Sequence, residues 1–321
     1  MRLPLLPSRS TRAFFREGRR TRGYSLFDSL HGYVYARWPY LYIAIGTGEH
    51  PLAKMAKPVV GVLDALIRRQ TAETSSSGDA IGFADTYHGK VVTLEAATQL
   101  VRVERDVDLG DLEQVIPYAL AREIVLQHPD HIVALDCPCR VSRPNPCLPL
   151  DVCLIVGEPF ASFVTEHHPE RTRWISREDA ERILIEEHER GHVHHAFFKD
   201  AMLGRFYAIC NCCECCCGAM QAHFNGVPML ASSGYVSQSD EELCIGCGEC
   251  VDACQFGALD LQGGRSRVDW DACMGCGVCA DKCSQGALTL VRDKRKGEPL
   301  EMRSLLEASS VQQSARTAST V

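Results

Sequence analysis

Between residues 83 and 210 of the 321-residue chain, apolar and polar positions alternate in a readable order of elements. KVVTLEAATQLVRVERDV carries a run of β-branched and apolar residues that predicts one or two strands. In DLEQVIPYALAREIVLQH, Val115, Ile116, Ala119, Leu120, Ile124 and Val125 recur at helical spacing, and Pro117 fits if it lies in the first turn. HIVALDCPCR reads as a short buried strand that delivers two cysteines to its end. A better-marked helix follows in SREDAERILIEEHERG. Ser176 caps it, Asp179 holds the reciprocal position and Gly191 stops it; Ile183 and Leu184 face a core while Glu186, Glu187 and Glu189 form a solvated face. FYAIC is then another strand ending in a cysteine. Nearer the N-terminus, HGYVYARWPYLYIAIGTG is aromatic and apolar but short of the roughly 20 residues of a spanning helix, so a buried strand or turn is expected.

Polar stretches divide the chain. TAETSSSGDA, residues 71–80, has no apolar period and reads as a linker or exposed loop, and the last stretch, ending in SSVQQSARTASTV, is polar enough to be expected disordered. The expected organisation is a basic and aromatic segment over 1–70, a linker over 71–82, a cysteine-rich domain over 83–235, a second cysteine unit over 236–292 and a tail over 293–321. The fold class is α+β, with a central α/β-like domain that carries thiols at strand ends and loops.

Composition narrows the chemistry. A net charge of -7 argues against a nucleic-acid binder, which needs a basic face. Eighteen cysteines imply either disulfides in an oxidising compartment or metal in a reducing one. The N-terminal stretch MRLPLLPSRSTRAFFREGRRTRGYSLF is rich in arginine, but no apolar run of signal-peptide length follows Arg19 and Arg20, so a cytoplasmic protein is expected. A basic arm followed by aromatics can also rest on an anionic membrane, and peripheral contact is the minor alternative.

CIGCGECVDACQFGALDL from Cys244 and CMGCGVCADKCSQGALTL from Cys273 are an internal repeat, each reading C-x2-C-x2-C-x3-C. Glycines between thiolates let three sulfurs converge on one small object with backbone N–H groups turned inward, and the fourth cysteine is expected to open a short helix that leads it away from its own loop. Residues from about 238 to 292 resemble a bacterial-type ferredoxin domain with two [4Fe-4S] clusters. The resemblance implies crossed ligation: Cys244, Cys247, Cys250 and Cys283 for one cluster, and Cys273, Cys276, Cys279 and Cys254 for the other. That family usually has proline after each fourth cysteine. Gln255 and Ser284 stand there instead, and each is expected to add a donor near sulfur and raise the reduction potential. Zinc and disulfides are the rival readings of these eight cysteines.

Ten cysteines remain: Cys137, Cys139, Cys147 and Cys153, and then Cys210, Cys212, Cys213, Cys215, Cys216 and Cys217 within ICNCCECCCGAM. No cubane takes more than four thiolates, and adjacent cysteines make strained disulfides. If the chain after Asn211 turns helical, Cys213, Cys216 and Cys217 share one face and Cys212, Cys215 and Cys216 the next. The favoured expectation is at least one further iron-sulfur cluster, on Cys137, Cys139, Cys147 and Cys153 or on a mixture with the later group, with Arg140 close enough to offset its charge. Zinc and a free dithiol are the alternatives. Over residues from about 110 to 292, the CxCR segment, a helix and the ICNCCxCCC segment ahead of the repeat resemble larger iron-sulfur proteins of anaerobic bacteria, which implies electron transfer without a defined reaction.

The remaining signals add little. His192, His194 and His195 in HVHH are expected to be structural or exposed rather than metal-binding. Asp240, Glu241, Glu242, Glu249, Asp252 and Asp281 are a solvated face or a rim that steers a basic redox partner. The function expected is an electron carrier or electron-wiring subunit of an oxidoreductase with a redox protein as partner. The alternatives are an oxidoreductase with a catalytic upstream metal site fed by the ferredoxin domain, and a zinc-stabilised binding or assembly protein.

Overall fold

The computed structural model describes residues 8–53, 87–110, 112–117 and 123–318. The expected linker over 71–82 lies outside them. Helix α1 is Arg9–Arg20, and α2 (Leu26–Arg37) and α3 (Pro39–Gly46) occupy the segment from His31 in which a strand or turn was expected. Local chemistry explains the difference. Ser25 and Asp28 close a full capping box that starts α2, and Pro39 at the first turn starts α3. The aromatics then serve as helix faces packed on the central domain: Tyr35 meets Tyr207 edge-on at 6.3 Å, and the Tyr24 hydroxyl donates to Ala201 O at 2.7 Å.

Strand β1 (Tyr87–Val92) is present as expected, but the chain continues as helix α4 (Leu94–Val101). The Thr93 hydroxyl accepts the Ala96 N–H, and Ala96, Ala97, Leu100 and Val101 form one buried helical face, so cap and period override strand propensity. β2 is Val107–Leu109. The helix expected across residues 115–125 is also replaced. Residues 112–116 turn back on Leu112 O, and Ile124 and Val125 enter the long strand β3 (Ile124–Leu135). Ala119 and Leu120 lie outside the described residues. The order continues with α5 (Pro138–Val141), β4 (Cys153–Glu158), α6 (Phe160–His167) and β5 (Thr172–Ile175). Then come α7 (Arg177–Glu189), β6 (Val193–Lys199), β7 (Arg205–Cys212), α8 (Gly218–Phe224) and β8 (Leu230–Ala231). α7 carries both bonds of the capping box at Ser176 and Asp179, and it ends before Gly191 at φ 85°. Glu187, expected on its solvated face, is instead fully buried.

The strands form one sheet in the order β2-β3-β4-β7-β6-β1-β8, with β5 paired to β3; only the β1–β8 pair is parallel. Every residue of the central strand β6 is buried, which requires cover on both faces. Strands β3 and β7 both run out toward cysteines, so sheet pairing brings the CPCR and ICNCC segments to one edge of the domain.

The C-terminal unit has β9 (Tyr235–Ser239), α9 (Glu249–Asp252), the hairpin β10 (Leu259–Gln262) and β11 (Arg265–Val268), α10 (Val278–Lys282) and β12 (Leu288–Arg292), with β12 antiparallel to β9. Phe256 anchors it to the central domain: the ring is buried, with the His195 and His223 rings centred 6.5 and 6.1 Å away. The expected disordered tail is corrected too, since α11 spans Met302–Ala318. Leu300 and Met302 are buried, and Lys90 Nζ donates to Glu298 O at 2.8 Å. Leu305 and Leu306 also pack against the core, so a few apolar anchors seat the start of a stretch whose average composition is polar. Among the described residues, no helix is long and apolar enough to cross a membrane.

Candidate iron-sulfur and thiolate sites

In the C-terminal unit, Cys244, Cys247, Cys250 and Cys283 surround one small cavity, and Cys254, Cys273, Cys276 and Cys279 surround another. These are the two crossed sets that the repeat implies. Glycine makes each loop possible. Gly246 and Gly275 sit at φ 71° and 67°, and a Cβ there would stand 2.3 Å from Gly264 O and 2.2 Å from Tyr235 O. The crossing differs in one detail from the expectation. The third cysteines, Cys250 and Cys279, lie inside α9 and α10, while the fourth, Cys254 and Cys283, follow the helix ends; each helix is the bridge from one set to the other.

Backbone N–H groups point at the sulfurs in matched pairs. Ser266 donates to Cys244 and Ser237 to Cys273, both at 3.4 Å, while Ala258 donates to Cys254 and Ala287 to Cys283, both at 3.3 Å. Burial pushes the Cys279 thiol up to about 11 and the Cys276 thiol well above its usual range. Around Cys244 the Ser266 and Gly246 N–H groups prevail and lower it. Buried converging thiols with N–H donors aimed at them fit a cationic iron-sulfide core, which supplies the charge that would hold them as thiolates. The donors expected after each fourth cysteine are different residues: Ala258 and Ala287 fill that role, and the Gln255 side chain turns away to accept the Glu214 N–H at 2.9 Å.

The ten upstream thiols divide six and four. Strand β7 runs straight through Cys212 and helix begins only at Gly218, so the helical faces expected after Asn211 do not form. Six thiols are successive neighbours, Cys210 to Cys153 to Cys137 to Cys139 to Cys217 to Cys212, with Cys153 Sγ 3.8 Å from Cys210 Sγ. Together with Cys213 and Cys216 they line a cavity of about 590 Å³, whose lining also includes Tyr35, Tyr42, Ile43, Phe160, Phe197 and Lys199. Cys147, expected to join Cys137, Cys139 and Cys153, does not line this chamber. It converges instead with Cys213, Cys215 and Cys216, all four sulfurs lying within 4.8 Å of one another.

Arg140 is buried and close to Cys137 and Cys153, as expected of a charge-offsetting group. Its guanidinium donates to Glu187 Oε2 at 2.5 Å and to Asn211 O at 3.1 Å. The histidines of HVHH are scaffold. His192 Nδ1 meets Glu187 Oε2 at 2.7 Å and His194 Nδ1 meets Asn211 Oδ1 at 2.6 Å; burial lowers His194 to about 4 and His195 to about 3, so both are neutral. Sequence reading missed the chamber's apolar wall, because α2 and α3 supply it from about 100 residues away; it also missed Lys199, which burial lowers to about 8 and which lies 4.8 Å over the Tyr35 ring.

With this geometry in view, comparison with known families gives one match: the 4Fe-4S binding domain, at residues 238–260 and 266–289. No curated protein matches the chain. The C-terminal unit is thus a [4Fe-4S]-binding domain.

Proposed function

We propose that the protein is an electron carrier, or the electron-wiring subunit of an oxidoreductase. On this reading Cys244, Cys247, Cys250 and Cys283 hold one [4Fe-4S] cluster, and Cys273, Cys276, Cys279 and Cys254 hold a second. The six chamber thiols carry at least one further iron-sulfur centre. When bound, each cluster takes up and releases one electron at a time.

The observation that carries the reading is the asymmetry of the two four-cysteine sets. The set containing Cys254 is tied to the central domain through Phe256 and Gln255, its neighbours in sequence. The other set meets the central domain at its Cys283 end through Asp281 and Lys282 but presents Cys247 to solvent, with Ile245 63% exposed beside it. The outward set is thus the natural contact for a redox protein partner, and Glu241, Glu242 and Glu249 nearby favour a basic one. Eighteen free cysteines suit a reducing compartment, and the cytoplasm is proposed as the location.

A second reading is favoured by the chamber itself. A cavity of about 590 Å³ lined by thiols and aromatic side chains has room for an apolar small molecule, with Lys199 as a proton donor that titrates near pH 8. The chamber would then be the catalytic site of an oxidoreductase.

Oxygen-free purification with iron and sulfide counted per chain tests both readings. The proposal expects more than the roughly eight irons of a ferredoxin pair, and a Cys137→Ser/Cys153→Ser variant that falls to about eight while keeping the ferredoxin EPR signals. About eight irons in both proteins would remove the upstream centre. A change in the upstream signal on adding small aromatic compounds would favour the catalytic reading over the carrier.

A further inference from the structure

Cys147, Cys213, Cys215 and Cys216 have a spacing that separates them from every other cysteine set in the chain. Cys215 Sγ lies 3.3 Å from Cys147, 3.4 Å from Cys213 and 3.7 Å from Cys216, and Cys213 lies 3.7 Å from Cys147. For zinc at about 2.3 Å from each of four tetrahedral sulfurs, the sulfur-to-sulfur edge is about 3.8 Å. A cubane spreads its ligands further, because each thiolate caps a different iron and the body of the cluster stands between them. The eight cysteines of the [4Fe-4S]-binding domain belong to no group that converges within 4.8 Å among the described residues. Disulfides do not account for the group either, since these separations far exceed an S–S bond of about 2.05 Å.

We propose that Cys147, Cys213, Cys215 and Cys216 hold a single zinc ion in a closed four-thiolate site, separate from every iron-sulfur centre of the chain.

All four positions come from the protein, which is the signature of a structural rather than a catalytic zinc. The surroundings show what it would hold together. Cys147 belongs to the loop between α5 and β4, and the other three belong to the turn between β7 and α8. Arg143 braces that turn: its Nε and Nη2 donate to Cys216 O at 3.3 and 3.2 Å, and it pairs with Glu49 from the N-terminal segment. Its positive charge stands beside a site whose four thiolates and divalent ion sum to a net negative charge. Glu214, inside the CCECC run, reaches the [4Fe-4S]-binding domain through Gln255. On the other flank, Cys213 and Cys216 themselves border the chamber beside Cys212 and Cys217, so the proposed site stands in the chamber's rim. A redox-inert ion here would fix the chamber wall and the docked domain in one frame, and adjacent cysteines would serve two neighbouring sites with different metals.

The test uses the full chain, purified without oxygen from iron-replete cells and stripped of loose metal with a chelator. Zinc-edge X-ray absorption is expected to give one zinc per chain with four sulfur neighbours at about 2.3 Å and no iron neighbour. In Cys147→Ser/Cys215→Ser, altered at the more exposed ligands, the zinc is expected to be lost while iron, sulfide and the ferredoxin EPR signals stay at wild-type levels. Absence of stoichiometric zinc, nitrogen or oxygen ligands in its shell, or loss of iron and sulfide from the variant would each overturn the site. Should the variant fail to accumulate, the absorption spectrum of the wild-type protein decides alone. An iron count below eight would strike the electron-transfer reading and leave this one standing.

Discussion

Arg140 and Glu187 are the most consequential single pair outside the cysteines. Both side chains are at most 1% exposed, and a buried ion pair that loses one partner costs about 3–5 kcal/mol, because the survivor keeps its charge without compensation. Glu187→Gln is therefore expected to lower the thermal midpoint sharply, and Glu187→Gln/Arg140→Met to recover much of the loss. Two equally damaged variants in a calorimeter would mean that the pair contributes through something other than its charges. Lys90 gives a pH signature. Burial, with Arg292 nearby, lowers it to about 7, while in the unfolded chain it titrates near 10.4. Between these values the unfolded state binds the proton and the folded state does not, so stability rises with pH, by up to about 1.4 kcal/mol per unit. Lys199, lowered to about 8, adds a second rise that begins higher. In Lys90→Met the gain in urea midpoint between pH 7 and 8 is expected to disappear and the gain above pH 8 to persist.

At the scale of elements, the cluster loops depend on two glycines that sequence spacing alone marked. Gly275→Ala drives a Cβ into the Tyr235 carbonyl at a φ of 67°, so the loop carrying Cys273 and Cys276 must move. The variant is expected to lose about four of its irons and to keep the other cluster's EPR signal, whereas full iron occupancy would show that the loop yields cheaply. Legibility follows the same division between local and distant causes. The capping box of α7 and the two cysteine-bearing strands could be read because their signals lie within a few residues of one another, whereas the crossed four-cysteine sets, which join distant positions such as Cys250 and Cys283, rested on the resemblance to a ferredoxin domain. The segment over 115–125 could not, since Ile124 fits helical spacing as well as strand alternation, and only pairing with β2 decides between them. The division of the ten thiols was hidden for a related reason. Cys147 and Cys215 are 68 positions apart, and their meeting is set by the β4–β7 pairing, which no spacing within ICNCCECCC records.

At the scale of the molecule, the two cysteine-bearing domains share one hydrophobic core that includes Val236, Met274 and Val278, and Phe256 is one of the residues that join them. It follows Cys254 by two positions and packs between His195, His223 and Phe224, so one hydrophobic ring links the loop of the inward cysteine set to the core of the sheet. Gln255 adds the bond to Glu214, and Asp281 meets His188 Nε2 at 2.7 Å on the far side of the contact. Removing a buried phenyl ring costs about 3–5 kcal/mol in a core that cannot close up. Here the ring also lines the cavity of the Cys254 set, so the loss falls on the docking contact and on that cavity together. On the carrier reading, Phe256→Ala is expected to keep the outward set's EPR signal and to pass electrons to the proposed upstream centre at least tenfold more slowly in stopped-flow absorbance. A rate equal to that of the wild type would mean that the domains stay aligned without the ring, and the contact through Gln255 and His188 would then have to carry the alignment.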